Sequence, residues 1–547
     1  MSDLLIKGQL VDVWQKRIYG AELLIQNGKI ANIKECPNAG NNYILPGFID
    51  AHVHIESAML LPAAFAAAAV VHGTVATVSD PHEIANVMGL SGIQYMIDNS
   101  KKVPFKIFFG APSCVPATHF ETAGASINAV DTEMLMEMDD IWYLSEMMNY
   151  PGVLSKDNEV LAKIAAAHKF NKPVDGHAPG LNGADAMAYA AAGISTDHEC
   201  FTLDEALHKI HCGMKILIRE GSAAKNFNAL CSLIQSHPNS VMLCSDDKHP
   251  DDLLKGHINQ LVLRALENGY NLFNVLQAAC VNPVLHYNLP VGLLRLGEPA
   301  DFIIVNSLTD FQVLHTYING VPVAAHGTAL FNPPQEQIIN QFNCIINSPD
   351  CFKVPCSKPS ASIRVIQAIP GQLITNQLLL PAKIINGLIV SDTQNDILKI
   401  AVINRYTPNQ PIAIGFIKNF TLKHGALAST VAHDCHNLIV IGCDDESMYQ
   451  VAQALINAKG GIAALDAQGA IHTLPLPVAG LMSTHDAATV AEKYTQINTA
   501  CKSLGCTLPA PFMTLSFMAL LVIPSLKLSD MGLFNGNQFQ FCNLIAE

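Results

Sequence analysis

At 547 residues the chain is too long for a single hydrophobic core, and two or three domains are expected. Half of its residues are hydrophobic and only 14% are charged, which excludes a disordered polymer, since such a chain buries enough apolar area to offset its conformational entropy. A formal charge of −14 with no basic stripe argues against nucleic-acid partners, and the 15 cysteines, scattered without a CxxC pair, argue against a disulfide framework.

In chain order, Met1 to Gly8 carries charges at Asp3 and Lys7 and lacks the apolar stretch of a signal peptide. Ile6 to Val13 and Glu22 to Ile25 alternate like short strands and lead to Asn27-Gly28, a pair that favours a type I′ hairpin turn. The pattern returns at Ala300 to Val305 and Val313 to Ile318, followed by Asn319-Gly320. Residues 1–45 and 291–345 are therefore expected to form one small β-domain, split by what lies between. Met59 to Val71 is apolar but short and holds Pro62, whereas a bilayer span needs about 20 residues. It reads as a core helix, and a cytoplasmic protein without membrane partners is expected.

Between the flanks, eight short apolar runs alternate with Ala-rich helical stretches. They are Ile44 to Asp50, Thr74 to Ser79, Lys106 to Ala111, Ile141 to Glu146, Pro173 to Gly176, Gly193 to Thr196, Met214 to Glu220 and Val241 to Ser245. Eight βα units in roughly 200–250 residues are what a (β/α)₈ TIM barrel requires, so residues 46–290 are read as one, in an α/β protein. A doubly wound open sheet would gather its polar residues at one switch point, whereas here they follow nearly every run. The last segment, 346–547, mixes strand patterns such as Ile384 to Val390 and Leu438 to Gly442 with a helix over Ser447 to Ala458. Asn386-Gly387 marks either a bulge or a tight turn, and Gly460-Gly461 is expected to give the helix a left-handed cap. This segment reads as a separate α+β domain.

Barrel enzymes carry their working residues where the strands end. Run one ends in His52-Val53-His54 and run two in Asp80-Pro81-His82-Glu83. Runs four, five and six lead to Glu146, His177 and His198, run seven to Arg219-Glu220, and run eight to Asp246-Asp247. His52 and His54, two apart on an extended strand, project their imidazoles to one side. Imidazole nitrogen and carboxylate oxygen suit Zn, Fe or Mn, whereas thiolates would indicate a structural zinc site. Four histidines and two carboxylates can hold two ions, with Glu146 as the natural bridge. One histidine alone is more often a satisfied polar residue than a ligand; the register of the whole set with eight strand ends favours a metal centre.

Pro46 to His54 resembles the first-strand motif of the amidohydrolase superfamily. Further stretches resemble the adenine deaminases within it: His54 to Ser57, Asp80 to Val87, Asp175 to Leu181, Asp197 to Cys200, Arg219 to Ser222 and Ser245 to Asp252. The likeness continues through Ser429 to Asn437, Leu476 to Ser483 and Pro511 to Phe517, and so covers essentially the whole chain. It implies a two-metal centre held by His52, His54, Glu146, His177, His198 and Asp246. It implies Mn²⁺ or Fe²⁺, with Zn²⁺ also compatible, and hydrolysis of adenine to hypoxanthine and ammonia. Many relatives bridge their metals with a carboxylated lysine on strand four; here that strand offers Glu146.

In such a reaction Asp246 is placed to take a proton from the attacking water and pass it to the departing ammonia. Glu56, Glu83, Glu220 and Asp247 are candidates for protonating the ring, and each also reads as a partner holding a ligand imidazole. Substrate contacts are expected from His82, Glu83, Arg219 and His433, and from Ser113 and Glu121 in a lid-like loop, Pro112 to Ile127. For Arg219 the alternative is an internal ion pair, and for the loop an ordinary surface connection. His433 to His436 either caps the barrel mouth or forms a hydrogen-bonded turn. Rival activities are a cyclic-amide hydrolase of hydantoinase or dihydroorotase type and a non-catalytic barrel assembly protein. A homo-oligomer, most simply a dimer, is expected, with Phe512 to Pro524 available to an interface or a core.

Overall fold

The protein is described by a computed structural model covering residues 3–546. Eight strands stand at the expected places: Phe48–Val53, Thr74–Ser79, Lys106–Ala111, Ile141–Met147, Val174–Gly176, Thr196–Asp197, Lys215–Arg219 and Val241–Cys244. The first five pair in one parallel arc and the last three in another. Two isolated parallel bridges close the circle, Val174 to Ile194 between the arcs and Val53 to Asp246 between the last strand and the first. Most of these strand residues are buried, because one face meets the barrel interior and the other the surrounding helices. Pro62–Val70 is one such helix, buried along most of its length. Among the described residues no helix is long and apolar enough to cross a membrane.

The first expected run, Ile44 to Asp50, is in fact two strands. Tyr43–Pro46 belongs to the flanking sheet, parallel to Leu4–Asp12 and antiparallel to Phe302–Val305, and the barrel strand begins at Phe48. The apolar character runs through both, so hydrophobicity alone does not mark the change of sheet. Gly47 makes the crossing: a Cβ there would stand 2.2 Å from Cγ1 of Val75.

The two flanks form one eight-stranded sheet. Its order is Thr328–Ala329, Val321–Ala325, Val313–Ile318, Phe302–Val305, Tyr43–Pro46, Leu4–Asp12, Arg17–Gln26 and Lys29–Glu35. Both Asn-Gly pairs turn with positive φ, 52° and 76° at Asn27 and Gly28, 49° and 71° at Asn319 and Gly320.

The C-terminal part is built on a sheet whose buried centre is Leu398–Ile403, Leu438–Gly442 and Ala426–Ser429, with helices Asp445–Ala458 and Ala487–Ser503. Asn386-Gly387 is a tight turn between Lys383–Ile385 and Leu388–Val390. The left-handed cap of Asp445–Ala458 falls on Lys459 (φ 58°), not on the glycine pair. Gly461 serves close approach instead, since a Cβ there would lie 2.3 Å from the Leu474 carbonyl. One apolar cluster runs from barrel residues such as Ile55 and Leu60 into Leu481 and Phe517 of this part, so barrel and C-terminal residues share a core.

Candidate metal centre and active site

The strand ends bring the six expected ligand side chains together. His52 Nε2 lies 3.2 Å from His54 Nε2, and the two stand 3.5 and 3.3 Å from Oδ1 of Asp246. His54 Nε2 is also 3.3 Å from Oε1 of Glu146. The other oxygen of Glu146 lies 2.8 Å from His177 Nδ1 and 3.1 Å from His198 Nε2, which are 3.3 Å apart. Two donor groups thus share one carboxylate, an oxygen to each. Atoms bound about 2.1 Å from a tetrahedral ion sit about 3.4 Å from one another, so the spacing fits cation ligation. The donor set of imidazoles and carboxylates fits a divalent metal as well.

Charge reinforces that fit. Burial works against ionisation of Asp246 and Glu146, yet Arg219 holds Asp246, and His177 holds Glu146, well below the usual carboxylate range. Burial also opposes a charge on His198, but Glu146 raises it to about 9, while burial beside His198 pushes His52 down.

The surroundings fix these groups. Asp50, on the first strand, accepts from the Ser245 N–H at 2.9 Å and meets His257 Nε2 at 2.8 Å, pinning strands one and eight together beside His52 and Asp246. The Asp246 N–H donates to the His52 carbonyl at 2.9 Å, and Asp246 itself sits in the left-handed region at φ 55°, a strained conformation held by its neighbours. Asp80, passed over as a site residue at the sequence level, lies 3.2 Å from His82 Nδ1 through Oδ2, and its carbonyl faces His54 Nδ1 at 3.2 Å.

Above the ligands is a cavity of about 30 Å³, every lining residue of which is buried. That is room for one or two waters. Its roof is C-terminal: Leu373, His433, Asp434, Phe517 and Leu520. His433 stacks on Phe517 with ring centroids 4.9 Å apart and an angle of 19°, and its Nδ1 is 3.5 Å from Glu83. Both readings of the 433–436 segment meet here: His433 and Asp434 cover the mouth, and the segment is a hydrogen-bonded turn in which the His436 N–H donates to the Ala432 carbonyl at 2.7 Å.

Several expected contacts take other places. Arg219 is an internal ion pair, forking onto Glu199 and bonded to Asp246 at 2.5 Å, so it orients a ligand and leaves no free fork for substrate. Glu220 pairs with Arg264 at 2.8 Å and Lys225 at 3.8 Å and lines no part of the cavity. Ser113 donates to the Glu146 carbonyl at 2.6 Å, a support behind the ligand. Glu121 accepts from Thr118 at 3.0 Å, and burial together with Asp434 pushes it up to about 8. Its loop is no free lid. The Thr122 N–H donates to Asp530 and the Ser529 hydroxyl to the Phe120 carbonyl, clamping it beneath the C-terminal part.

Glu56 and Glu83 lie just outside the cavity lining, where burial and the Glu83 charge push Glu56 up to about 8. Asp247 does line it, and the Ser57 hydroxyl ties Asp247 to Glu83. His82 lines it too. Asp434, Leu373, Phe517 and Leu520 were not singled out from the sequence; Asp434 stands beside His433 in a motif that was, while the apolar three carry no signal that separates them from core.

Eight parallel strands with a buried histidine–carboxylate cluster at their C-terminal ends define a metal-dependent hydrolase on a TIM barrel. The chain matches the amidohydrolase family over residues 43–323 and the adenine deaminase C-terminal domain over residues 372–540. It is 51% identical over 543 residues to the adenine deaminase of Borreliella burgdorferi, covering 98% of each chain. It is 51% identical over 547 residues to that of Methanosarcina barkeri, covering 99% of each. A solved β-aspartyl dipeptidase from Fervidobacterium islandicum AW-1 aligns with 60% of this chain and 99% of its own at 16% identity, TM-score 0.46. The chain belongs to the adenine deaminase family.

Proposed function

We propose that this protein hydrolyses adenine to hypoxanthine and ammonia. The observation that carries the reading is Glu146 shared between two buried donor groups in a chain of this family. His52, His54 and Asp246 would hold one divalent ion and His177 and His198 a second, with Glu146 available to both. Mn²⁺ or Fe²⁺ is the native choice, with Zn²⁺ compatible. When bound, such ions lower the pKa of water to about 7 and so supply hydroxide without a strong base.

The protein's own residues do the rest. Asp246, kept ionised and oriented by Arg219, accepts the proton of the attacking water and delivers it to the departing amine. Asp247 is the acid nearest the substrate ring among the four candidates, because it alone lines the cavity. Glu83 stands behind it, connected through the Ser57 hydroxyl, and Glu56, pushed up to about 8 by burial and the Glu83 charge, lies next to Glu83 as a proton reserve. His82 and His433 bound the space the purine occupies. That space is far smaller than a purine, so the cavity widens on binding. The cysteines are free thiols, which supports a reduced, cytoplasmic setting.

Incubation with adenine under Mn²⁺ tests the reading through release of hypoxanthine and ammonia. Turnover of a hydantoin or dihydroorotate, with adenine untouched, would replace it.

A further inference from the structure

Asp434 is a buried carboxylate without a complete set of partners. It is 2% exposed, lines the cavity from above, and its Oδ2 has no hydrogen-bond donor. Its Oδ1 stands 3.6 Å from His82 Nε2, which is also unpartnered, and the opposite nitrogen of that ring is 3.6 Å from Glu146. One imidazole therefore separates Asp434 from the ligand cluster. A buried acceptor left without a donor is costly, and the cost is relieved when a ligand N–H arrives.

The surrounding roof is built to present it. His433, the preceding residue, stacks on Phe517. The Lys527 amine, fully buried, donates to the carbonyls of Leu373 at 2.6 Å and Phe517 at 2.8 Å, tying two roof segments together. Apolar Leu373, Leu520 and the Phe517 ring leave Asp434 as the hydrogen-bonding group that the C-terminal part adds beside His433.

We propose that Asp434 is a substrate-recognition residue, accepting an N–H of the purine ring while that ring lies against Phe517. The C-terminal part would thus read the base while the barrel performs its hydrolysis. This rests on adenine as the substrate. A heterocycle with a ring N–H at its far edge gains a charge-assisted hydrogen bond there.

The test is affinity for the base, by calorimetry on the Mn²⁺-loaded protein with the unreactive product hypoxanthine, and with adenine itself wherever it is not turned over, for wild type, Asp434→Asn and Asp434→Leu, with KM, kcat and metal content alongside. Asn keeps the shape and loses the charge; Leu loses the acceptor. The expected order is a weaker affinity in Asn and a weaker one still in Leu, about 10- to 100-fold below wild type, with KM following and metal content unchanged. A merely structural role would not give that graded order. Equal affinity in all three, or a loss confined to kcat, overturns the proposal and leaves the deaminase reading intact. Wild type that binds adenine without turning it over, with graded loss in the variants, sinks the deaminase reading and keeps Asp434. Failure of wild type to bind adenine at all sinks both.

Discussion

The floor and the roof of the cavity are made from different parts of the chain and of different material. The floor gathers imidazoles and carboxylates from barrel strand ends, each held by an ionic or hydrogen-bonded neighbour such as Arg219 or Asp50. The roof is mostly apolar and comes from three C-terminal segments, two of which are tied together by the buried Lys527 amine. Ionised groups in the floor can activate water, while a roof of aromatic and aliphatic side chains can shape a pocket and exclude it. The contrast implies that damage to the floor falls on kcat and damage to the roof on KM.

The sharpest break of that contrast is Asp246→Asn. It should keep most of its metal and lose about 10²- to 10⁴-fold in kcat, measured by steady-state turnover with metal analysis. Phe517→Ala should raise KM about 10-fold with kcat little changed; a loss in kcat alone would show that the roof takes part in the chemistry.

Glu121 sharpens the comparison from the side of stability. Burial, with Asp434 beside it, lifts its folded pKa to about 8 from 4.5, so the folded protein keeps a proton that the unfolded chain releases. Its stabilising contribution is whole below about pH 4.5 and is lost as pH rises through about 8. Glu121→Gln should therefore flatten the pH dependence of denaturant unfolding in that window, by up to about 1.4 kcal/mol per pH unit. The smallest effect belongs to Glu220→Gln. It lies on the barrel but is committed to Arg264, and turnover should stay within about twofold of wild type.

The floor was legible in the sequence because its signals are periodic and local. His52 and His54 share a strand face through the two-residue repeat, and the other ligands each follow an apolar run. The same repeat explains Glu220: next to an inward Arg219, it falls on the opposite face. Ile44 to Pro46 joined the barrel run in the sequence because they are as apolar as the strand after Gly47, and pairing partners are set by tertiary structure. The roof was largely illegible for a related reason. Phe517 and Leu520 sit in an apolar stretch, and Leu373 in a loop, where pattern cannot distinguish a pocket wall from a core. Ser113 and Glu121 looked exposed in a long polar loop, but contacts with the distant residues Asp530 and Ser529 bury that loop.

The central claim is that His52, His54, Glu146, His177, His198 and Asp246 act by holding divalent cations. The direct measurement is adenine turnover on protein stripped by chelation, then titrated with Mn²⁺, Fe²⁺ or Zn²⁺ while bound metal is counted. Activity that vanishes with the metal and returns as about two ions bind per chain is the expected result. Full deamination by thoroughly stripped protein would contradict it.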